Sequence, residues 1–155
     1  MTTIFTEVYS TSELSPAALQ KAINDNRYIN VDYWEWYHKI YDNAEELGIK
    51  IESFNLDRHD ITGVFILHST DVATKITKTQ DADSELYKLS KAFLSDYFVD
   101  DIDDDAAKDL EEDYKQSILE EFRIMLQHEL EYLTSDEAVL DSLCDTDFDI
   151  NGIAV

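Results

Sequence analysis

The sequence feature that most constrains the fold is a dense acidic run, residues 96–113, which leads into the longest helical pattern of the chain. Ten of its eighteen residues are acidic and one, Lys108, is basic. The acids are Asp96, Asp100, Asp101, Asp103, Asp104, Asp105, Asp109, Glu111, Glu112 and Asp113. Mutual repulsion of these charges destabilises a compact state unless salt, a bound cation or a cationic partner relieves it. The run therefore indicates an exposed surface that binds something, although a solvated face without a partner is the simpler alternative.

The charge is concentrated in one part of the chain. Of the formal net charge of −23, residues 1–95 carry −6 and residues 96–155 carry −17. Solubility of a small domain needs a net charge of only about 2 to 8. Nucleic acids and anionic membranes have the same sign of charge, which argues against direct binding to either. The charge instead predicts a basic protein as the partner, in particular one that itself binds nucleic acid.

Composition indicates one globular domain over residues 1–155. The chain is 44% hydrophobic and 12% aromatic, which is too apolar for a disordered acidic tail. Its single cysteine, Cys144, excludes an internal disulfide and offers no metal-binding spacing. The N-terminus has no signal-peptide pattern, and no apolar run is long enough to span a membrane. We therefore expect a cytoplasmic protein.

Hydrophobic periodicity predicts an α+β fold, with helices packed on a small, mostly antiparallel sheet and a helix-rich C-terminal half. The predicted elements are a strand over Thr2–Tyr9, a helix begun by Ser15 and Pro16, a helix from Asp32 to a stop at Gly48, a hairpin of Ile49–Asp57 and Ile61–Leu67, helices begun at Ser69 and Ser84, a helical stripe from Leu110 to Leu133, and a last helix capped by Thr134 and Glu137. Helical phase favours a core position for Trp36 and Tyr37. For Trp34, burial and a contact role both remain open.

No catalytic motif is recognisable. The chain lacks a glycine-rich phosphate loop, a zinc-protease motif and a nucleophile elbow, and its four histidines are scattered. We therefore predict no enzymatic activity, no catalytic residues and no cofactor. A rival hypothesis is an unrecognised active site in the polar turn Asp57–Asp60, because turns between strands often carry functional residues.

The acidic run also contains a partial calcium-binding pattern. Asp101, Asp103, Asp105, Asp109 and Glu112 occupy positions 1, 3, 5, 9 and 12 of an EF-hand loop. Position 6, where the turn requires glycine, is Ala106. A calcium-binding regulatory or structural module is therefore the alternative function, while a specific metal site is not predicted.

The preferred interpretation is electrostatic mimicry of nucleic acid. If the run were one helix, its ten carboxylates would extend over about 27 Å, or one charge per roughly 2.7 Å. Duplex DNA carries one charge per about 1.7 Å of axis. The candidate partner-binding residues are these ten acids together with Glu120 and Glu121, and we call these twelve residues the acidic surface. Further acids follow at Glu129, Glu131, Asp136, Glu137, Asp141, Asp145, Asp147 and Asp149.

Several segments resemble a family of small acidic proteins encoded by bacteriophages and mobile elements. These are residues 51–58 (IESFNLDR), residues 121–138 (EFRIMLQHELEYLTSDEA), Asp32-Tyr33-Trp34 and Leu47-Gly48-Ile49. The resemblance implies a phage context and supplies no catalytic residues. By its charge the chain is also similar to anti-restriction and anti-CRISPR proteins that mimic DNA. The resulting expectation is an anti-defence inhibitor that binds a host nuclease, CRISPR effector or restriction enzyme.

Overall fold

The computed structural model describes residues 7–32 and 35–155. In these residues it contains six α-helices, one short 3-10 helix and a two-stranded antiparallel sheet. The elements are α1 (Pro16–Asp25), α2 (His38–Glu46), β1 (Ile49–Asn55), β2 (Asp60–Phe65), α3 (Ser69–Thr79), α4 (Glu85–Tyr97), α5 (Asp104–Leu133) and α6 (Asp136–Ser142). The predicted α+β class, with a helix-rich C-terminal half, is confirmed.

The chain divides into two compact units. The central unit is Tyr37–His128, and the terminal unit combines Met1–Trp36 with Glu129–Val155. The prediction of one domain over residues 1–155 stays a prediction.

The core of the central unit lies where the hairpin meets α5. The residue opposite Ile51 on β2 is Gly63, and an added Cβ there would stand 2.7 Å from the Lys50 carbonyl oxygen and 2.9 Å from Leu119 of α5. Because glycine has no side chain, α5 approaches the strand closely at this point. The pairing shifts register between Ile51 and Ser53, which is the geometry of a β-bulge and coincides with a break in the apolar alternation of β1.

Helices α3, α4 and α5 contribute the other apolar side chains of this core. The fully or nearly buried residues are Val72, Ala73 and Ile76 on α3, Leu86 and Phe93 on α4, and Tyr114, Ile118, Leu119 and Phe122 on α5. A buried hydrogen bond of 2.5 Å joins the hydroxyls of Ser90 and Tyr114. The Tyr114 ring also stacks on Phe93, with ring centroids 4.3 Å apart. This cluster fixes the start of α5 against α4.

The terminal unit has a smaller core between α1 and α6. Its buried residues are Ala22, Ile23, Val139, Leu143 and Phe148. Tyr9 and Phe148 exchange two backbone hydrogen bonds of 2.8 and 2.9 Å. Gly152 has a φ of +81°, and an added Cβ would stand 2.1 Å from the Ala18 carbonyl oxygen, so a side chain is excluded there.

Several predicted boundaries are wrong by a few residues. Helix α2 begins at His38 and not at Asp32, while Tyr33 and Trp34 lie outside the described residues. Helix α6 is capped by Ser135, whose hydroxyl accepts from the Ala138 N–H, and not by Thr134. Adjacent hydroxyl residues compete for such a cap, and only the backbone geometry selects one.

Two further predictions concern the ends of the chain and the longest helix. Thr2–Thr6 of the expected N-terminal strand lie outside the described residues. Helix α5 begins at Asp104, before the first apolar residue of the predicted stripe, Leu110, and is 30 residues long. The polar first turns of a helix carry no hydrophobic period, so the stripe underestimates its length.

Candidate functional site

The acidic surface belongs to the central unit and is built from two helices and the loop between them. Asp96 lies in the last turn of α4, while Asp100, Asp101 and Asp103 lie in the loop and the other acids follow on α5. The assumption that one helix carries the whole run is therefore wrong. The break has a local cause, since Asp101 adopts a left-handed φ of +65°, which aspartate tolerates better than most residues.

Asp103 starts helix α5. Its Oδ1 accepts a hydrogen bond of 2.7 Å from the Ala106 N–H, and its carbonyl oxygen accepts from the Ala107 N–H at 3.0 Å. Asp104 and Asp105 follow in the first turn. The N-terminus of a helix is electrically positive, so carboxylates at these positions are stabilised. These three acids have a structural explanation that needs no partner.

The other end of the loop has the opposite character. Asp96 stands in the last turn of α4, where the helix dipole is negative and no basic residue is present. A carboxylate is unfavourable there, whereas a lysine or arginine would stabilise the helix. Asp109 and Asp113 lie further along α5, one helical turn apart on its exposed side, and repel one another. Helix capping does not explain these three acids.

Seven acids of this surface are exposed and have no cation within 4.0 Å among the described residues. They are Asp96, Asp100, Asp101, Asp104, Asp105, Asp109 and Asp113, and we call them the unpaired carboxylates. The central unit contains ten lysine and arginine residues, and none of them neutralises this set. The negative charge of the set is therefore available to a partner.

Three other members of the acidic surface have a side-chain partner within the protein. Glu111 lies 3.1 Å from the His68 Nε2, and Glu112 lies 3.3 Å from the Lys115 Nζ. The Arg123 Nε–H donates to both carboxylate oxygens of Glu120, at 2.9 and 3.0 Å.

The surroundings of Glu112, Glu120 and Glu121 shift their pKa values. The hydrogen bond from Arg123 lowers the pKa of Glu120, and the hydrogen bonds from Gln116 and Lys115 lower the pKa of Glu112. Burial raises the pKa of Glu121, and the nearby charges of Glu85 and Glu120 add to this effect. The charged form of Glu121 is therefore less favourably placed than those of Glu112 and Glu120.

The six acids in the first ten residues of α5 give one charge per roughly 2.5 Å, close to the spacing expected for a continuous helix, but only four of them are unpaired. Four unpaired carboxylates, Asp104, Asp105, Asp109 and Asp113, lie in the first ten residues of α5, which rise about 15 Å, or one charge per roughly 4 Å. This is less than half the linear charge density of duplex DNA, about one per 1.7 Å. The other three unpaired carboxylates, Asp96, Asp100 and Asp101, lie on α4 and the loop and add to this charge.

The loop also exposes two apolar residues that sequence reasoning missed. Phe98 is 69% exposed and Val99 is 51% exposed, and both lie between Asp96 and Asp100 in the chain. Periodicity places Tyr97 on the buried face of α4, and Phe98, one position further, leaves that face. An apolar pair directly after the helix and inside an acidic run is the signal that could have identified them.

The calcium-binding alternative receives no support from the geometry. Among residues 7–32 and 35–155, no group of three or more His, Cys, Asp or Glu side chains is arranged to hold a metal ion. An EF-hand ligand set needs a non-helical loop through positions 1, 3, 5 and 7, with a sharp glycine turn at position 6. Here Asp105, Asp109 and Glu112 lie on helix α5, and Asp103 is hydrogen-bonded as its cap.

The turn Asp57–Asp60, the rival enzymatic site, is fully exposed. The Arg58 N–H donates to the Asn55 Oδ1 at 3.2 Å, and His59 adopts a left-handed φ of +56°. These features describe a charged hairpin turn, and no hydrogen bond of the turn sets a base beside a nucleophile.

The later acids, from Glu129 to Asp149, belong to the terminal unit and not to the acidic surface. That unit has thirteen acidic and two basic residues. Both bases are paired: Lys21 lies 2.9 Å from Asp25, and Arg27 binds Asp136. The terminal unit is thus acidic in its own right.

In the described part of the chain, no helix combines the length and the apolar character that crossing a membrane requires. Comparisons of the chain with family models, with curated proteins and with solved structures find no match.

Proposed function

We propose that the protein is a phage-encoded anti-defence inhibitor that binds a basic, nucleic-acid-binding protein of the host cytoplasm. The target would be a nuclease, a CRISPR effector or a restriction enzyme, and the acidic surface would occupy the groove that normally holds nucleic acid. The single observation that carries this proposal is the set of seven unpaired carboxylates between Asp96 and Asp113.

The placement of these acids supports a binding role. Asp96 opposes the dipole of α4, and Asp109 and Asp113 repel each other on α5. Each of these placements lowers the stability of the folded protein. A surface that keeps such charges without internal cations suits a function that uses them, and a cationic partner would relieve the repulsion.

Inhibition by this surface needs no chemical step. Nucleic-acid-binding grooves are lined with Lys and Arg that contact phosphates. Carboxylates on α4, the loop and α5 would pair with those cations and exclude the nucleic acid. Association between such complementary surfaces is fast and weakens as salt is raised.

The test compares two variants that change the net charge equally but at different places. The first variant carries Asp96→Lys, Asp100→Lys, Asp109→Lys and Asp113→Lys. It spares Asp103, which caps α5, and Asp101, whose left-handed backbone disfavours lysine. The control variant carries the same change at four exposed acids of the terminal unit, Asp32, Asp141, Asp145 and Asp147. Each tagged protein is used to capture partners from a lysate of a defence-competent bacterium, with and without duplex DNA or high salt.

We expect the wild type and the control variant to retain one nucleic-acid-binding protein that DNA or salt releases, and the first variant to lose it. Circular dichroism confirms that both variants are folded. If both variants lose the partner equally, only the net charge matters. If both retain it equally, the acidic surface does not contact the partner. Either result contradicts the proposal.

A further inference from the structure

The loop between α4 and α5 presents an aromatic side chain between Asp96 and Asp100 of the acidic surface. Phe98 is the most exposed large apolar residue of the described chain, at 69%, and Val99 follows it at 51%. Leaving a phenylalanine in water forgoes about 1.5 to 3 kcal/mol of burial free energy. Single exposed apolar residues are common on protein surfaces, whereas exposed apolar residues that lie together and are bordered by polar ones are typical of binding sites.

The position of Phe98 is fixed by contacts that lead into the core. Its N–H donates to the Leu94 carbonyl oxygen at 3.1 Å, and its ring meets Tyr97 edge-on, with centroids 5.3 Å apart. Tyr97 contacts Phe93 at 5.4 Å, and Phe93 stacks on the buried Tyr114. A ring held in this way loses little conformational entropy on binding, as is typical of the aromatic anchors that dominate interface energies.

The charges around Phe98 restrict what it can bind. Asp96, Asp100 and Asp101 are exposed, unpaired and adjacent to it in the chain. A second copy of the chain would bring the same charges together, and an anionic membrane would repel them. The complementary surface is an apolar pocket surrounded by lysine and arginine side chains.

Such a pocket is characteristic of proteins that bind single-stranded or flipped-out nucleotides. These proteins hold bases against aromatic or apolar side chains and hold the neighbouring phosphates with basic residues. Proteins that read only the backbone of a duplex have no need of an apolar pocket. The chemistry around Phe98 therefore distinguishes between the two classes of partner.

We propose that Phe98, supported by Val99, enters a base-binding pocket on a protein that binds single-stranded nucleic acid. Its ring takes the place of a base, and Asp96, Asp100 and Asp101 take the place of the adjoining phosphates. This inference rests on the proposed function and narrows it to partners that contain a single-strand channel.

The experiment compares Phe98→Ala and Val99→Ala with a matched control, Tyr28→Ala, which removes an aromatic side chain of similar exposure, 58%, from the terminal unit. Each tagged chain captures protein from the same bacterial lysate. The retained protein is then challenged with a single-stranded oligothymidine or with an abasic oligomer of equal length and equal charge. Thermal unfolding monitors the fold of each variant.

We expect Phe98→Ala to weaken retention by about ten- to a hundredfold, the range for loss of an aromatic anchor or of one stacked base, and Val99→Ala to weaken it less. Tyr28→Ala should leave it unchanged. Oligothymidine should release the partner at a concentration at least tenfold below that of the abasic oligomer.

The contrary outcomes separate the two proposals. If Phe98→Ala retains the partner while the four-lysine variant at Asp96, Asp100, Asp109 and Asp113 loses it, the acidic surface binds but this inference fails. Equal release by the two oligomers refutes the base pocket. If the wild type retains nothing that either oligomer or salt displaces, both proposals fail.

Discussion

Replacing Asp103 should destabilise the protein even though the substitution reduces its excess negative charge. The Asp103 carboxylate accepts the Ala106 N–H at 2.7 Å and caps α5, the longest helix of the fold. Loss of such a cap costs about 0.5 to 2 kcal/mol, and loss of a negative charge at a helix N-terminus costs about 0.3 to 1 kcal/mol. Relief of repulsion from Asp104 and Asp105 offsets a part of this. For Asp103→Ala we therefore expect the free energy of unfolding to fall by about 1 to 2 kcal/mol.

Two comparison variants separate the cap from the charge. Asp103→Asn keeps a side-chain oxygen that can cap the helix, so its loss of stability should be no more than about half that of Asp103→Ala. Asp96→Asn removes an equal charge from the unfavourable C-terminal end of α4, and it should stabilise the protein by about 0.3 to 1 kcal/mol. The same charge change thus has opposite effects at the two ends of the loop.

The assay is equilibrium unfolding in urea, because guanidinium is a salt and would screen the charges. With a urea dependence of about 2 kcal/mol per M, Asp103→Ala should lower the midpoint by about 0.5 to 1 M. An unchanged midpoint, or equal losses for the Ala and Asn variants, would refute the capping role. A destabilised Asp96→Asn variant would refute the assignment of Asp96 as an unfavourable charge.

Two further predictions concern the interior and the pH dependence of the central unit. Ser90→Ala and Tyr114→Phe each leave one buried hydroxyl unpartnered, so each should lower the free energy of unfolding in urea by about 1 to 3 kcal/mol. The double variant should lose clearly less than the sum of the two single losses. Strictly additive losses would mean that the hydrogen bond contributes nothing to stability. Burial and the charges of Glu85 and Glu120 raise the pKa of Glu121 in the folded state. At a pH above this raised pKa, the charged carboxylate lowers the free energy of unfolding. This loss of stability disappears when the pH falls below the ordinary pKa of 4.5, because the carboxyl is then protonated in both the folded and the unfolded state. Glu121→Gln should therefore raise the thermal midpoint at pH 7 and have almost no effect near pH 4, and an equal effect at both pH values would contradict this.

Much of the local structure could be predicted from the sequence. Gly48, with a φ of +87°, ends the segment of α2 as predicted, and Ser15 and Ser84 cap α1 and α4 through their hydroxyls. The hairpin and its bulge also follow from the pattern of apolar residues. These features depend on neighbouring residues and on short-range rules of backbone conformation, which a sequence carries directly.

The candidate site could be predicted only in part. The sequence determined that the acids are concentrated in residues 96–113 and that they repel one another, because charge is a property of composition and order. It could not determine which carboxylates find a side-chain partner within the protein. Glu111 pairs with His68, which is distant in the chain, and the packing of α3 against α4 and α5 brings the two together.

Tertiary structure alone decided how the acidic run is divided between helix ends, loop and helix surface. It ended α4 at Tyr97, turned the chain at Asp101 and started α5 at Asp103, so that caps, unpaired carboxylates and the exposed Phe98 became distinct parts of one surface. The physical reason is that helix ends and side-chain exposure depend on which apolar residues find partners across the fold. The core formed by Phe93, Tyr114 and their neighbours buries the apolar faces of α4 and α5 but does not include Phe98.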